Sequence, residues 1–206
     1  MGINRNQLEA IQERLARKKS GTPDACSDNK SSSANPFTPG DAVLLGIDPS
    51  LRGTGYGKIR VRGKSMTLET YGVIRCPASW TRSRCLGEIH SQLSPVLEDV
   101  RPDCCIFEGL FYSQNLKTAI IMGEARGVSL AAAGVHAIPS YEIAPRKVKQ
   151  ALVGFGAAQK SAVSEMVQRF LKIDDQLPAD AADALALAIA FAHTYNGFFL
   201  EAPKGL

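Results

Sequence analysis

Apolar residues in this chain fall into runs of two kinds, separated by clusters of Pro, Gly, Ser and Asn. Val43–Pro49 and Cys104–Glu108 are short and apolar almost throughout, the pattern of strands buried on both faces. Gly55–Val61 and Met66–Ile74 flank a Gly63-Lys64 turn and predict two more strands, giving an antiparallel start. A fifth strand is expected over Ile138–Ile143. Longer stretches predict helices over Arg82–Val100, Asn115–Ala133, Pro145–Leu152, Lys160–Leu171 and Ala179–Tyr195, with Pro145 at a helix start and Val153-Gly-Phe-Gly156 as a break. Three antiparallel strands followed by alternating helix and strand predict an α/β fold with a mixed five-stranded sheet and helices on both faces.

The first forty residues read differently. Asn6 to Lys19 has the spacing of a short amphipathic helix through Leu8, Ile11 and Leu15, and Ser20 to Gly40 is polar with almost no apolar content. The expected organisation is therefore a flexible extension over 1–40, one folded domain over 41–196 and a tail over 197–206. No hydrophobic signal core opens the chain, and Glu9 and Glu13 argue against a transit peptide. The apolar run Ala184–Ala192 is shorter than the roughly 20 residues a membrane span needs, so a soluble protein is expected, and cysteines read as reduced thiols point to the cytoplasm. The chain has 206 residues and a formal charge of +4, which permits an anionic partner. Its five cysteines include no CxxC pair, and Cys104 and Cys105 should point to opposite faces of one strand, as reduced core thiols.

Four carboxylates stand out against this pattern. Asp180 and Asp183 are three residues apart on an Ala- and Leu-rich helix, where two like charges on one face repel. Asp48 ends the first strand and Glu108 the fourth. Carboxylates at two strand ends, facing a helix with two more, suit a pair of hard divalent cations, Mg²⁺ or Mn²⁺.

The segments Gly46-Ile-Asp-Pro-Ser-Leu-Arg-Gly-Thr-Gly-Tyr-Gly57, Glu108-Gly-Leu-Phe111, Met122-Gly-Glu-Ala-Arg-Gly-Val128, Ala144-Pro-Arg-Lys-Val-Lys-Gln150 and Ala179-Asp-Ala-Ala-Asp-Ala-Leu185 resemble, in order and spacing, the RuvC family of Holliday-junction resolvases. The resemblance covers about Val43 to His193. It implies a ribonuclease-H-like fold, a homodimer, paired symmetric nicks in a four-way DNA junction, and the RuvA–RuvB branch-migration complex as partner. It also implies that Asp48, Glu108, Asp180 and Asp183 bind two Mg²⁺ ions, with Asp48 shared, and that the products carry 5′-phosphate and 3′-hydroxyl ends. Ser50 and Glu124 depart from the common glycine and glutamine of the family pattern, away from the metal ligands.

The same resemblance makes Lys149 and Lys160 phosphate contacts and Phe111 an aromatic that stacks on an unpaired base. By residue type alone the lysines read as solvated and Phe111 as core. Arg146 and Lys147 are candidate DNA contacts because they flank Lys149. The alternating Lys58, Arg60, Arg62 and Lys64 read either as a solvated sheet face or as phosphate contacts. His90, His136 and His193 have no ligand spacing to the acids. Competing readings are an actin-like ATPase, for which the chain is too short, a ribonuclease-H-like enzyme acting on structured RNA, and a non-catalytic junction-binding module, which would be expected to lack an acid.

Overall fold

Strand β1 (Ala42–Asp48) is apolar on both sides because it becomes an inner strand of a sheet covered on both faces. The structure, a computed structural model, describes residues 41–99, 101–109, 115–194 and 204–206. All described residues belong to one compact unit. The helix expected over Asn6–Lys19 and the candidate Phe111 lie outside the described residues.

From β1 the chain continues through β2 (Gly53–Arg62), β3 (Ser65–Arg75), α1 (Arg82–Glu98), β4 (Cys104–Glu108), α2 (Leu116–Val135), β5 (Ser140–Ile143), α3 (Pro145–Val153), α4 (Lys160–Leu171) and α5 (Ala179–His193). The strand order is β3-β2-β1-β4-β5-β6, with β1, β2 and β3 antiparallel and β4 and β5 parallel to β1. All five expected strands are present with these senses, as a ribonuclease-H-like sheet requires. A sixth, β6 (Lys204–Gly205), pairs antiparallel with β5 at the edge.

Alternation along the strands sorts side chains into two cores. Leu44, Cys104 and Ile106 face α3, α4 and α5, while Leu45, Ile47, Cys105 and Phe107 face α1 and α2. Cys104 and Cys105 thus point to opposite faces as free, buried thiols. Their burial, first among the causes, holds both thiols above the usual cysteine range, Cys105 at about 12.

The positions that bring α5 onto the sheet are glycines. Gly46 pairs with Gly57 across β1 and β2, and Asp48 pairs with Gly55. A Cβ on Gly46 would stand 1.8 Å from the Ala184 carbonyl oxygen, and one on Gly55 would stand 2.0 Å from the Asp180 carbonyl oxygen. The three glycines form a patch without side chains on which α5 rests, through its backbone at Gly46 and Gly55 and through the Leu185 side chain at Gly57. At Gly46 the helix atoms that come close are backbone atoms of Ala184 and Ala188.

The alternating basic row on β2 is largely engaged within the domain. Lys58 is 1% exposed and its Nζ donates to the Asp99 carbonyl at the end of α1. Arg60 pairs with Glu69 at 2.6 Å and Asp41 at 3.2 Å, and Arg62 with Asp41 at 3.2 Å. Lys58 is therefore not part of a solvated face, because a carbonyl brought from a distant helix end satisfies its ammonium group.

Candidate functional site

The adjacent parallel pairing of β1 and β4, with Ile47 opposite Phe107, sets Asp48 and Glu108 side by side where both strands end. Helix α5 crosses at the same end. From Ala181 to Ala192 every residue of α5 is buried except Asp183. Asp48, Glu108, Asp183, Lys149 and Lys160 line one cavity, with Pro145 and Val148 among its apolar walls. Asp180 stands beside the cavity, over Gly53, and its carbonyl packs on Gly55, the residue paired with Asp48. The four acids picked from the sequence are thus gathered at one end of the sheet, three of them on the cavity wall.

Their charges act on one another. Burial first, then the charges of Asp183, Glu108 and Asp180, push the Asp48 carboxyl up to about 7, with Lys160 opposing. Glu108 is raised by the same causes, burial ahead of Asp183, against Lys160, Lys149 and Arg126. Lys160 Nζ donates to Asp183 Oδ2 at 2.5 Å, and that hydrogen bond is the first cause raising the Lys160 ammonium. Two lysines therefore offset part of an excess of negative charge.

A half-buried set of carboxylates that raise each other's proton affinity is the donor chemistry a hard divalent cation needs. The residues fit such an ion in kind. As placed, no three His, Cys, Asp or Glu side chains among the described residues converge closely enough to hold one together, and Asp183 turns an oxygen to Lys160 instead. His193, expected to be structural, touches the Ala151 carbonyl and the Phe170 ring and lines no part of the cavity.

Arg126, on α2, escaped notice in the sequence as an individual residue. It is 6% exposed, donates through Nη1 to the Glu108 carbonyl oxygen at 2.5 Å, and through Nη2 to Glu142 Oε2 at 2.7 Å. Its guanidinium lies 5.5 Å from the centre of the Phe107 ring. One planar fork thus ties α2 to the ends of β4 and β5, at the residue that carries a cavity carboxylate. The sequence signal was there: Arg126 sits in Met122-Gly-Glu-Ala-Arg-Gly-Val128, yet nothing in that string says which residue is buried. Arg126→Gln leaves Glu142 without its cation and is expected to cost about 3 kcal/mol. Denaturant melts should show that loss, with Arg126→Gln/Glu142→Gln regaining part of it; equal losses for the single and double variants would rule out the coupling.

Of the remaining candidates, Lys149 and Lys160 face the cavity. Arg146 and Lys147 are exposed on α3 and do not line it.

A family model, Crossover junction endodeoxyribonuclease RuvC, matches residues 44–193. A protein described as Crossover junction endodeoxyribonuclease RuvC from Actinobacillus succinogenes is 43% identical over 152 residues, 74% of this chain and 80% of that relative. One of the same description from Syntrophomonas wolfei is 44% identical over 161 residues, 77% of this chain and 93% of the relative. Among solved structures, T. thermophilus RuvC in complex with Holliday junction substrate superposes with a TM-score of 0.74 at 32% identity, covering 80% of this chain and 99% of that one. The yeast mitochondrial Holliday junction resolvase Ydc2 shares the fold, with a TM-score of 0.55 at 13% identity, covering 77% and 80%.

Proposed function

The chain belongs to the RuvC family of crossover junction endodeoxyribonucleases, and from that premise we propose that it resolves four-way DNA junctions by paired, symmetric, metal-dependent nicks during recombination and repair. The single observation that carries this reading is the meeting of Asp48, Glu108 and Asp183 on a cavity that also holds Lys149 and Lys160. Acids alone would suit many metal sites. Acids beside two lysines suit a metal-dependent enzyme acting on phosphodiesters.

In this reading Asp48, Glu108, Asp180 and Asp183 hold two Mg²⁺ ions, with Mn²⁺ able to substitute. Bound there, the cations would activate a water for attack on the phosphorus and offset charge on the departing 3′-oxygen. The chain's own groups do the rest. Burial keeps Asp48 and Glu108 poorly solvated, so their charge acts at close range. Lys149 and Lys160 hold the phosphate, and Lys160 exchanges Asp183 for a phosphate oxygen as DNA arrives. The products carry 5′-phosphate and 3′-hydroxyl ends that a ligase can join.

Two symmetric nicks call for two active sites, so the working form is a homodimer. The exposed apolar side chains of Leu116, Ile120 and Val135 on α2 favour a second copy there. RuvA and RuvB are the partners that deliver the junction, and the cytoplasm is the compartment. No helix among the described residues is long and apolar enough to cross a membrane.

Purified protein incubated with labelled four-way junction, linear duplex and structured RNA in Mg²⁺ should nick the junction alone, at symmetric positions. EDTA should stop it. Preferential cutting of RNA would favour the ribosomal-precursor type of activity, and binding without cutting would leave only a junction-binding module.

A further inference from the structure

Phe155 is the one aromatic among the exposed large apolar side chains of the described residues, with 64% of its surface in solvent. It sits on the turn between α3 and α4, the two helices that bring Lys149 and Lys160 to the cavity. That turn is firmly built. Gly154 takes a left-handed conformation, φ 79°, and its N–H donates to the Gln150 carbonyl at 2.9 Å, closing α3. Ala158, 8% exposed, then donates to the Phe155 carbonyl at 3.1 Å and anchors the far side. The Arg146 side chain lies over Gly156, where an added Cβ would stand 2.6 Å from its Cγ.

A bulky ring held in water by an ordered turn gains nothing for the fold of this domain. Arg146 is laid over the same turn, and the helices either side carry Lys149 and Lys160 to the wall of the acid-lined cavity, where Lys160 is paired with Asp183. Helix α4 begins at Lys160 with no side-chain cap and no acidic residue in its first turn, so the positive end of its dipole adds to these basic groups. An exposed ring on a turn overlaid by Arg146, with Lys149 on the preceding helix, matches a nucleic-acid strand, whose phosphates meet the basic groups and whose bases present flat apolar faces.

We propose that Phe155 is a DNA-contacting residue, stacking on a base of the strand whose phosphate enters the lysine-lined cavity. This deepens the junction-resolvase reading and rests on it. The contact lies on the α3–α4 turn and is separate from the one implied for Phe111. Because stacking is indifferent to base identity, Phe155 should strengthen binding and hold the strand in register without setting sequence preference.

The test uses the full-length protein and a four-way junction carrying 2-aminopurine at successive positions around the nicks mapped for the wild type. Wild type should quench one such position. Phe155→Ala should abolish that quench, weaken junction binding about tenfold within the roughly 5- to 150-fold range of a single stacked base, and leave the melting temperature unchanged. Phe155→Trp should restore quench and affinity, and Phe155→Leu should not restore the quench. Wild-type affinity and quench in Phe155→Ala would overturn the inference while nicking by the wild type upheld the enzyme itself. A shift of Phe155→Ala to a smaller species in sedimentation would instead make the ring a protein contact. Absence of junction nicking by the wild type would remove the parent reading and this one with it.

Discussion

Asp48→Asn is expected to lower junction nicking by roughly 10³-fold or more and, in metal-free buffer near pH 8, to raise the melting temperature. The first effect follows from losing a carboxylate of the proposed metal-binding set, which stands for several kcal/mol of transition-state stabilisation at 1.36 kcal/mol per tenfold. Junction binding should survive, since it rests mainly on Lys and Arg contacts to phosphate. The second effect follows from the neighbours of Asp48. Its carboxyl is raised to about 7 by burial and by Asp183, Glu108 and Asp180, against an unfolded value near 3.8.

A group raised on folding contributes stability that is fully present below its unfolded pKa and is lost as pH rises through the folded one. Metal-free wild type should therefore lose stability between about pH 4 and pH 7, by a few kcal/mol from Asp48 at most. Asparagine cannot ionise, so the difference between the two proteins should be small near pH 4 and widen toward pH 8. Thermal melts in EDTA across that range measure it. Parallel melting curves would remove the charge argument, and wild-type nicking by Asp48→Asn would remove the metal-site assignment.

Gly46→Ala and Gly55→Ala should each be severely destabilising although each adds one methyl group. The new Cβ would meet backbone of α5, at 1.8 Å from the Ala184 oxygen and 2.0 Å from the Asp180 oxygen. A flexible side chain could move aside; a helix backbone seated along two strands cannot do so locally. The helix must lift, taking Asp180 and Asp183 with it. A loss of about 3 kcal/mol or more is expected, which for a domain of this size lowers the melting temperature by roughly 10 °C or leaves the protein insoluble. Gly87→Ala is the control, because a Cβ there has nothing within 4 Å and alanine favours the middle of α1. It should melt at or above the wild-type temperature. Gly55→Ala melting with the wild type would show that α5 does not rest on that glycine.

Much of the candidate site was legible because it is encoded by local rules. Period-two and apolar runs place strands whose last residues are Asp48 and Glu108, and an Ala-rich helix with Asp180 and Asp183 on one side follows from composition and spacing. The limits of α4, Lys160–Leu171, coincide with the expected ones for the same reason. Polar burial was not legible. Lys58 and Arg126 have the composition of surface residues, and each is buried because partners from elsewhere meet it: the Asp99 carbonyl, 41 positions away, for Lys58, and the Glu108 carbonyl, 18 positions away, with the Glu142 carboxylate for Arg126.

Local rules state five of the six strands, the helices of the described domain, their order, the four acids and the family, since these depend on side-chain type and on the fixed geometry of helix and strand; the two-residue β6 exists only through its pairing with β5. Only the tertiary structure decided which acids face the cavity, with Asp183 inside and Asp180 at its edge, and which lysine answers them. It alone showed that Gly46, Gly55 and Gly57 serve as a seat for α5. The physical reason is that burial, close approach and electrostatic coupling are properties of pairs brought together across the fold, and no local pattern states how far apart two distant residues will lie.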